Sequence, residues 1–224
     1  EEVKLYPHQY IMLVCNSNDK KTALARFTSY AEPLKKLYKA NPIWDISPRN
    51  KEQTFAFELL MDPEIEVVSL IGQAGSGKTL LAVAAGLEQV LGEKSLYKKL
   101  IVSRPIQPLG KDIGFLPGTL EEKMDPWLMP IKDNLEFLMG NDRNIVQTYF
   151  EQGVIEIEAI TYIRGRSITN AFIIIDEAQN LTRHELKTIL TRVGEGTKII
   201  LTGDIEQIDN AYIDETSNGL TYAV

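Results

Sequence analysis

Gly72-Gln73-Ala74-Gly75-Ser76-Gly77-Lys78-Thr79 fills every fixed position of the pattern G-x-x-x-x-G-K-[ST]. The residues around it supply the context the pattern needs. Val67-Val68-Ser69-Leu70-Ile71, just before it, is a short β-branched apolar run that reads as a buried strand. Leu80 to Leu87, just after it, is rich in helix formers with apolar residues at helical spacing. Strand, glycine loop and helix then follow in order. In that order the N–H groups of the loop point at a phosphate, and the helix N-terminus adds partial positive charge. Lys78 is placed to bridge the outer phosphates, and the Thr79 hydroxyl to hold Mg2+.

The bulk properties narrow the field. A chain of 224 residues fits one large domain, or one domain with an appendage. It is 44 % hydrophobic and 25 % charged, enough for a full core. No apolar run approaches the roughly 18 residues of a membrane span, and Glu1-Glu2-Val3-Lys4 does not resemble a secretion signal. The expectation is no membrane association and a cytoplasmic location. Cys15 has no second cysteine to pair with and reads as a buried, inert thiol in a reducing compartment. The net charge of −7 argues against a wholly basic surface for nucleic acid. Lys98, Lys99, Arg104, Lys111, Arg164 and Arg166 recur near the motif loops. They read either as a local basic groove or as scattered solvated charge.

Residues 1–46 read as a small appendage: a strand at Gln9 to Cys15, a turn at Asn16 to Asp19, and a second strand or short helix at Thr22 to Phe27. Residues 47–224 read as the main domain. A helix at about 51–60 precedes strands at about 66–71, 100–103, 154–158, 172–176 and 198–202. Helices are expected at about 78–91 and 182–193. A further helix should open at Thr119-Leu120-Glu121-Glu122, which has capping-box spacing, and Gly140-Asn141-Asp142 should close it. The proline- and glycine-rich stretch 104–118 reads as a long structured loop. Alternating strands and helices predict an α/β fold, a parallel sheet covered by helices on both faces.

Two more strands end in chemistry. Phe172-Ile173-Ile174-Ile175 runs into Asp176 and Glu177. At the carboxyl end of a parallel sheet such residues face the ligand crevice. Asp176 suits Mg2+, acting through its water shell, and Glu177 suits the base that orients and deprotonates an attacking water. The competing reading is an acidic cap on the next helix, which Asn180 or Thr182 could serve as well. Leu201-Thr202-Gly203-Asp204-Ile205-Glu206-Gln207 is the second such ending. Gln207 is placed to reach the terminal phosphate and sense its loss, and Thr202 and Asp204 to orient water and metal. Upstream, Gln53 carries an amide that suits the edge of adenine, while Asn50 suits a helix N-cap; both readings can hold together.

In combination, Asn50-x-x-Gln53, the glycine loop, Asp176-Glu177-Ala178-Gln179 and Gly203-Asp204-x-x-Gln207 resemble the ATPase core of superfamily 1 helicases. Gly114-Phe115-Leu116-Pro117-Gly118, Asp133-Asn134-Leu135 and Tyr162-Ile163-Arg164-Gly165-Arg166-Ser167 resemble, more narrowly, the PhoH-like proteins. The resemblance covers about residues 46–220. It implies a RecA-like P-loop fold with ATP and Mg2+ as cofactors. It also implies a homo-oligomer, often a ring such as a hexamer, and in one branch a preceding PIN-type nuclease domain linked to RNA unwinding and cleavage. On that resemblance the nucleotide site comprises Asn50, Gln53, the eight loop residues and Leu80. Thr79 and Asp176 would serve the metal, and Lys78, Asp176, Glu177 and Gln207 the chemistry. Residues 1–46 look like the connecting segment of that branch. The chain departs from it in having no room for the nuclease domain, and in stopping at Val224 before the basic helical segment with which the family continues.

A superfamily 1 helicase closes two lobes on ATP, the second supplying an arginine, and only one lobe is visible. The arginine would then have to come from elsewhere, most economically from a neighbouring copy in a ring, with Arg164 or Arg166 the candidates, against the alternative that both are ordinary surface or salt-bridge residues. Two functions remain open: an ATPase motor acting on RNA, or a nucleotide-switched assembly module without a nucleic-acid track.

Overall fold

The computed structural model describes residues 4–39, 41–105, 120–160, 167–210 and 212–223. Arg164, Arg166 and the Gly114–Gly118 stretch lie outside the described residues. The chain divides into two compact units, Glu1–Pro42 with Ser47–Phe55, and Ile43–Ile46 with Ala56–Val224.

In the first unit β1 (Tyr10–Cys15), β2 (Asn18–Arg26) and β3 (Lys35–Lys36) form an antiparallel sheet in that order. The short Asn16-Ser17 connection fixes the register, pairing Tyr10 with Arg26 through to Val14 with Thr22. The segment 22–27 is therefore mostly strand, its β-branched Thr22 paired across to Val14. Ala25 and Phe27 are buried, and the Tyr10 ring stacks on Phe55 at 4.4 Å. Cys15 contradicts the expectation of a buried thiol. It ends β1 at the hairpin turn, where no layer covers it, and is exposed. Hydrogen bonds from Ser17 and Asn18 hold its pKa below the ordinary thiol value.

α1 (Lys51–Met61) spans the division between the units. Asn50 opens it, its Oδ1 accepting from Gln53 N at 2.8 Å.

The second unit contains β4 (Val67–Ile71), α2 (Lys78–Leu91), β5 (Lys99–Arg104), α3 (Leu120–Leu138) and α4 (Arg143–Glu151). It continues with β6 (Ile155–Ala159), β7 (Ala171–Ile175), α5 (Arg183–Leu190), β8 (Lys198–Gly203) and α6 (Gly219–Ala223). The strands form one parallel sheet, ordered β4-β8-β7-β5-β6. Strand period two sends Leu100, Val102, Phe172, Ile174 and Ile200 to one side, where they pack with Leu81, Leu87, Ile131 and Leu135 of α2 and α3. Ile101, Ile173, Ile175, Ile199 and Leu201 face the other side, against Leu186, Ile189 and Leu220. Both faces are covered, so the three inner strands carry unbroken apolar runs, Leu100–Val102, Ala171–Ile175 and Ile199–Leu201, rather than alternating. β4 is an edge strand rather than a buried one, and its Val67 and Ile71 are about half exposed.

Gly140 and Asn141 have positive φ and end α3, as their residue types suggest. Asp142 does not close that helix: it opens α4, accepting from Asn144 N and Ile145 N. One polar triplet thus holds both the end of one helix and the N-cap of the next. Reading it as an end alone misses α4. Among the described residues, no helix is long and apolar enough to cross a membrane.

At the start of β8, Lys198 is fully buried and donates to the carbonyls of Leu59 and Asp62 at 2.8 and 2.6 Å, closing the end of α1. Burial lowers its pKa from 10.5 to about 8, although Asp62 and Glu58 oppose the shift. The unfolded chain therefore holds this proton to higher pH than the folded one. Stability attributable to Lys198 should rise as pH increases from about 8 towards 10, by on the order of 1 kcal/mol. Burial raises the Tyr97 pKa, which works in the opposite direction above pH 10, so the useful window is pH 7.5–9.5. Denaturant melts of wild type and Lys198→Met across that window check the point, because the variant should lack the rise.

Candidate nucleotide site

The site forms where β4 turns into α2. Gly75 and Gly77 adopt φ of 75° and 86°, left-handed values that cost a side-chain-bearing residue and that let the loop fold back before the helix starts. Gly77 is the N-cap of α2 and offers no side-chain cap, so the first helical N–H groups are left for a ligand. Lys78 does not extend away from the loop. Its Nζ donates to Gly72 O at 2.6 Å and Gln73 O at 2.8 Å, with Ser76 Oγ at 3.4 Å. A cation tied to the loop's own carbonyls is already centred beneath the turn.

Strand register brings the remaining groups together. β8 pairs with β7 through Leu201 and Ile175, so Thr202 and Asp176 come next, side by side, on the α2 face of the sheet. Asp176 Oδ1 accepts from Thr202 Oγ1 at 2.6 Å and from Thr79 Oγ1 at 2.7 Å. Asp176 is nearly buried, so its charge is poorly screened. Glu177 follows in the left-handed region at φ 54°, a conformation worth about 1–3 kcal/mol of strain that cooperating contacts must hold. It caps nothing. Thr182 caps α5 in a capping box with Glu185, so the reading of these acids as helix caps falls away.

Gln179, which the sequence reading placed only within a motif, is the hub of the site. Its Nε2 donates to Glu177 Oε2 at 2.5 Å and to Gln207 O at 2.8 Å, while its Oε1 accepts from Asp204 N at 3.2 Å. The approach is close enough that a Cβ on Gly203 would collide with the Gln179 amide oxygen. Asp204 also joins two backbone segments. Its Oδ2 accepts from Ala74 N at 2.8 Å and its Oδ1 from Glu206 N at 3.0 Å, which makes it the tether between the glycine loop and the β8 turn.

A cleft of about 350 Å3 lies over these groups, lined among others by Lys78, Thr79, Leu80, Asp176, Glu177 and Gln207. Asn134 of α3 also lines it, a residue quoted above only for its resemblance. Asn50 and Gln53 belong to the first unit, where the Gln53 Oε1 accepts from Arg49 N at 2.8 Å. Among the described residues no three His, Cys, Asp or Glu side chains gather to hold a metal by themselves. A carboxylate flanked by two hydroxyls fits instead a hard cation that keeps waters and takes its other oxygens from phosphate, as Mg2+ does.

The glycine loop on the first strand of a parallel sheet, with carboxylates at the ends of its neighbours, defines a RecA-like P-loop protein. The chain belongs to the PhoH-like protein family, whose model matches residues 45–224. It is 53 % identical over 222 residues to "Protein PhoH2" of Bacillus subtilis (strain 168), covering 98 % of this chain and 50 % of that one. It is 42 % identical over 169 residues to "Protein PhoH2" of Mycolicibacterium smegmatis, covering 75 % of this chain and 38 % of that one. To the "PhoH-like protein" of Bacillus subtilis it is 44 % identical over 144 residues, covering 64 % and 44 %. The chain thus spans half or less of the length of these relatives. Among solved structures, "Sulfolobus solfataricus SWI2/SNF2 ATPase core in complex with dsDNA" aligns with a TM-score of 0.47 at 17 % identity, over 75 % of this chain and 34 % of that one.

Proposed function

We propose that this chain is an Mg2+-dependent ATPase, the motor part of a PhoH-like protein that remodels or unwinds RNA. The observation that carries the reading is the convergence of Thr79, Asp176 and Glu177 beside the glycine loop. In this reading the loop N–H groups and Lys78 hold the phosphates, and residues 47–224 are the ATPase domain. Bound Mg2+ supplies positive charge that neutralises the phosphate oxygens, and Thr79 and Asp176 are the residues that hold it. Glu177 orients a water and takes its proton. Gln207, tied to Glu177 through Gln179, senses the terminal phosphate.

The RNA track, a cytoplasmic setting and a preceding PIN-type nuclease domain in the full-length chain are parts of the same proposal, motivated by the family. So is a homo-oligomeric ring in which Arg166 or Arg164 of one copy completes the site of the next. ATP turnover by the 224-residue chain, measured with and without single-stranded RNA, tests the reading. RNA should raise turnover. If ATP binds and drives assembly while RNA changes nothing, the protein is a nucleotide-switched assembly module.

Gln53 is the proposed reader of the adenine edge, which offers a donor and an acceptor that an amide matches. ATP should therefore outcompete GTP in a competition titration, and Gln53→Ala should narrow the gap. Equal affinities in the wild type would remove Gln53 from the site.

A further inference from the structure

One cation at the carboxyl edge of the sheet has no part in the reading above. β5 pairs with β7 with Ser103 opposite Ile175, so the next residues, Arg104 and Asp176, are neighbours. A hydrogen bond from Asp176 N to Ser103 O at 2.8 Å holds that register. The Arg104 guanidinium places Nη2 3.4 Å from Glu177 Oε1 and Nη1 3.9 Å from Asp176 Oδ2. The other oxygen of each carboxylate is already engaged, Asp176 Oδ1 by Thr79 and Thr202, and Glu177 Oε2 by Gln179. Arg104 therefore meets just the two oxygens left over. Its side chain is 23 % exposed, so solvent screens the contact weakly.

Two adjacent carboxylates in a partly buried cleft need a positive charge beside them. Arg104 supplies one. A divalent cation held by Thr79 and Asp176 would supply another beside the same carboxylates, and the two would repel. We propose that Arg104 and the nucleotide-borne divalent cation are alternative counter-ions of the Asp176–Glu177 pair. Loading Mg2+ with the nucleotide then displaces the guanidinium and frees Glu177 Oε1 to take a proton from water. Arg104 is in this role a positioning residue: it touches Glu177, not the substrate. The inference rests on the reading that Asp176 serves the metal.

Binding of a fluorescent ADP analogue, with Mg2+ and with EDTA, tests it without relying on turnover. Arg104→Gln removes the competing charge. Its affinity for the Mg2+ complex should rise by about tenfold or more, the scale of a lost charge-assisted contact, while metal-free ADP binds as before. Arg104→Lys keeps the charge but not the fork that reaches both carboxylates, and should fall between. In an Asp176→Asn background the gain should vanish. Unchanged or weaker binding of the Mg2+ complex by Arg104→Gln overturns the proposal. So does a parallel loss of metal-free binding, which would mean that Arg104 contacts phosphate. If the wild type binds ADP in neither condition, the ATPase reading itself fails; if it binds with Mg2+ dependence that Arg104 does not alter, only this inference fails. Should the glutamine variant not fold, the Arg104 Nε–H NMR signal of the wild type decides. It must shift when Mg2+ is added to the ADP-bound protein, and a stationary signal overturns displacement.

Discussion

Lys78→Ala should lose tight nucleotide binding and, with it, turnover. The Nζ sits beneath the turn on the carbonyls of Gly72 and Gln73, so a triphosphate entering the loop meets this cation at once. Hydrogen bonds to charged groups contribute about 1.5–3 kcal/mol each, and Lys78 is proposed to make more than one to the outer phosphates. The expected loss of ATP affinity is about 100-fold or more. The fold should survive, because Lys78 is at the first turn of α2 and the buried residues of that helix begin at Leu81. Calorimetric titration with ATP and a thermal melt together check this. A variant that melts like the wild type and turns over ATP at the wild-type rate would remove the phosphate-loop reading.

Glu177→Gln should separate binding from chemistry. The amide has the shape of the carboxylate but cannot accept a proton from water. Loss of a general base lowers turnover by about 100-fold or more, while ATP affinity should persist because the loop and Lys78 are untouched. The substitution also removes the negative charge that Arg104 meets at 3.4 Å, leaving Asp176 at 3.9 Å as its ionic partner. Single-turnover hydrolysis by the pre-bound complex isolates the chemical step. If affinity collapses while turnover per bound ATP survives, Glu177 serves the metal instead.

Much of the fold is local and was therefore readable. α2 begins and ends within its own stretch of residues, at Lys78 and Leu91, because a glycine loop precedes it and Gly92 follows. The β5 and β7 strands are apolar runs that only a doubly covered sheet accommodates. The polar triplet Gly140-Asn141-Asp142 misled because a stop and a start share it. Cys15 misled because burial is a property of what packs on a residue, and nothing in the chain nearby declares that the hairpin end is bare.

The candidate site divides in the same way. The glycine loop, the Asp176–Glu177 pair and Gln207 each lie in a short run whose type and spacing carry the chemistry, so the sequence alone determined them as candidates. Arg104 was one of six cations strewn near the motif loops, and Gln179 a single letter in a motif. Strand register decided their places. A parallel pairing of Ser103 with Ile175 puts Arg104 beside the carboxylates, and a shift of one residue would turn its side chain to the opposite face. Asp204 likewise reads as a partner for water or metal, and the tertiary structure adds that its carboxylate accepts from the loop's own Ala74 N. Register and loop approach join residues far apart in the chain through hydrogen bonds that any strand or loop can make. Their geometry is settled only when the whole sheet closes and buries both faces.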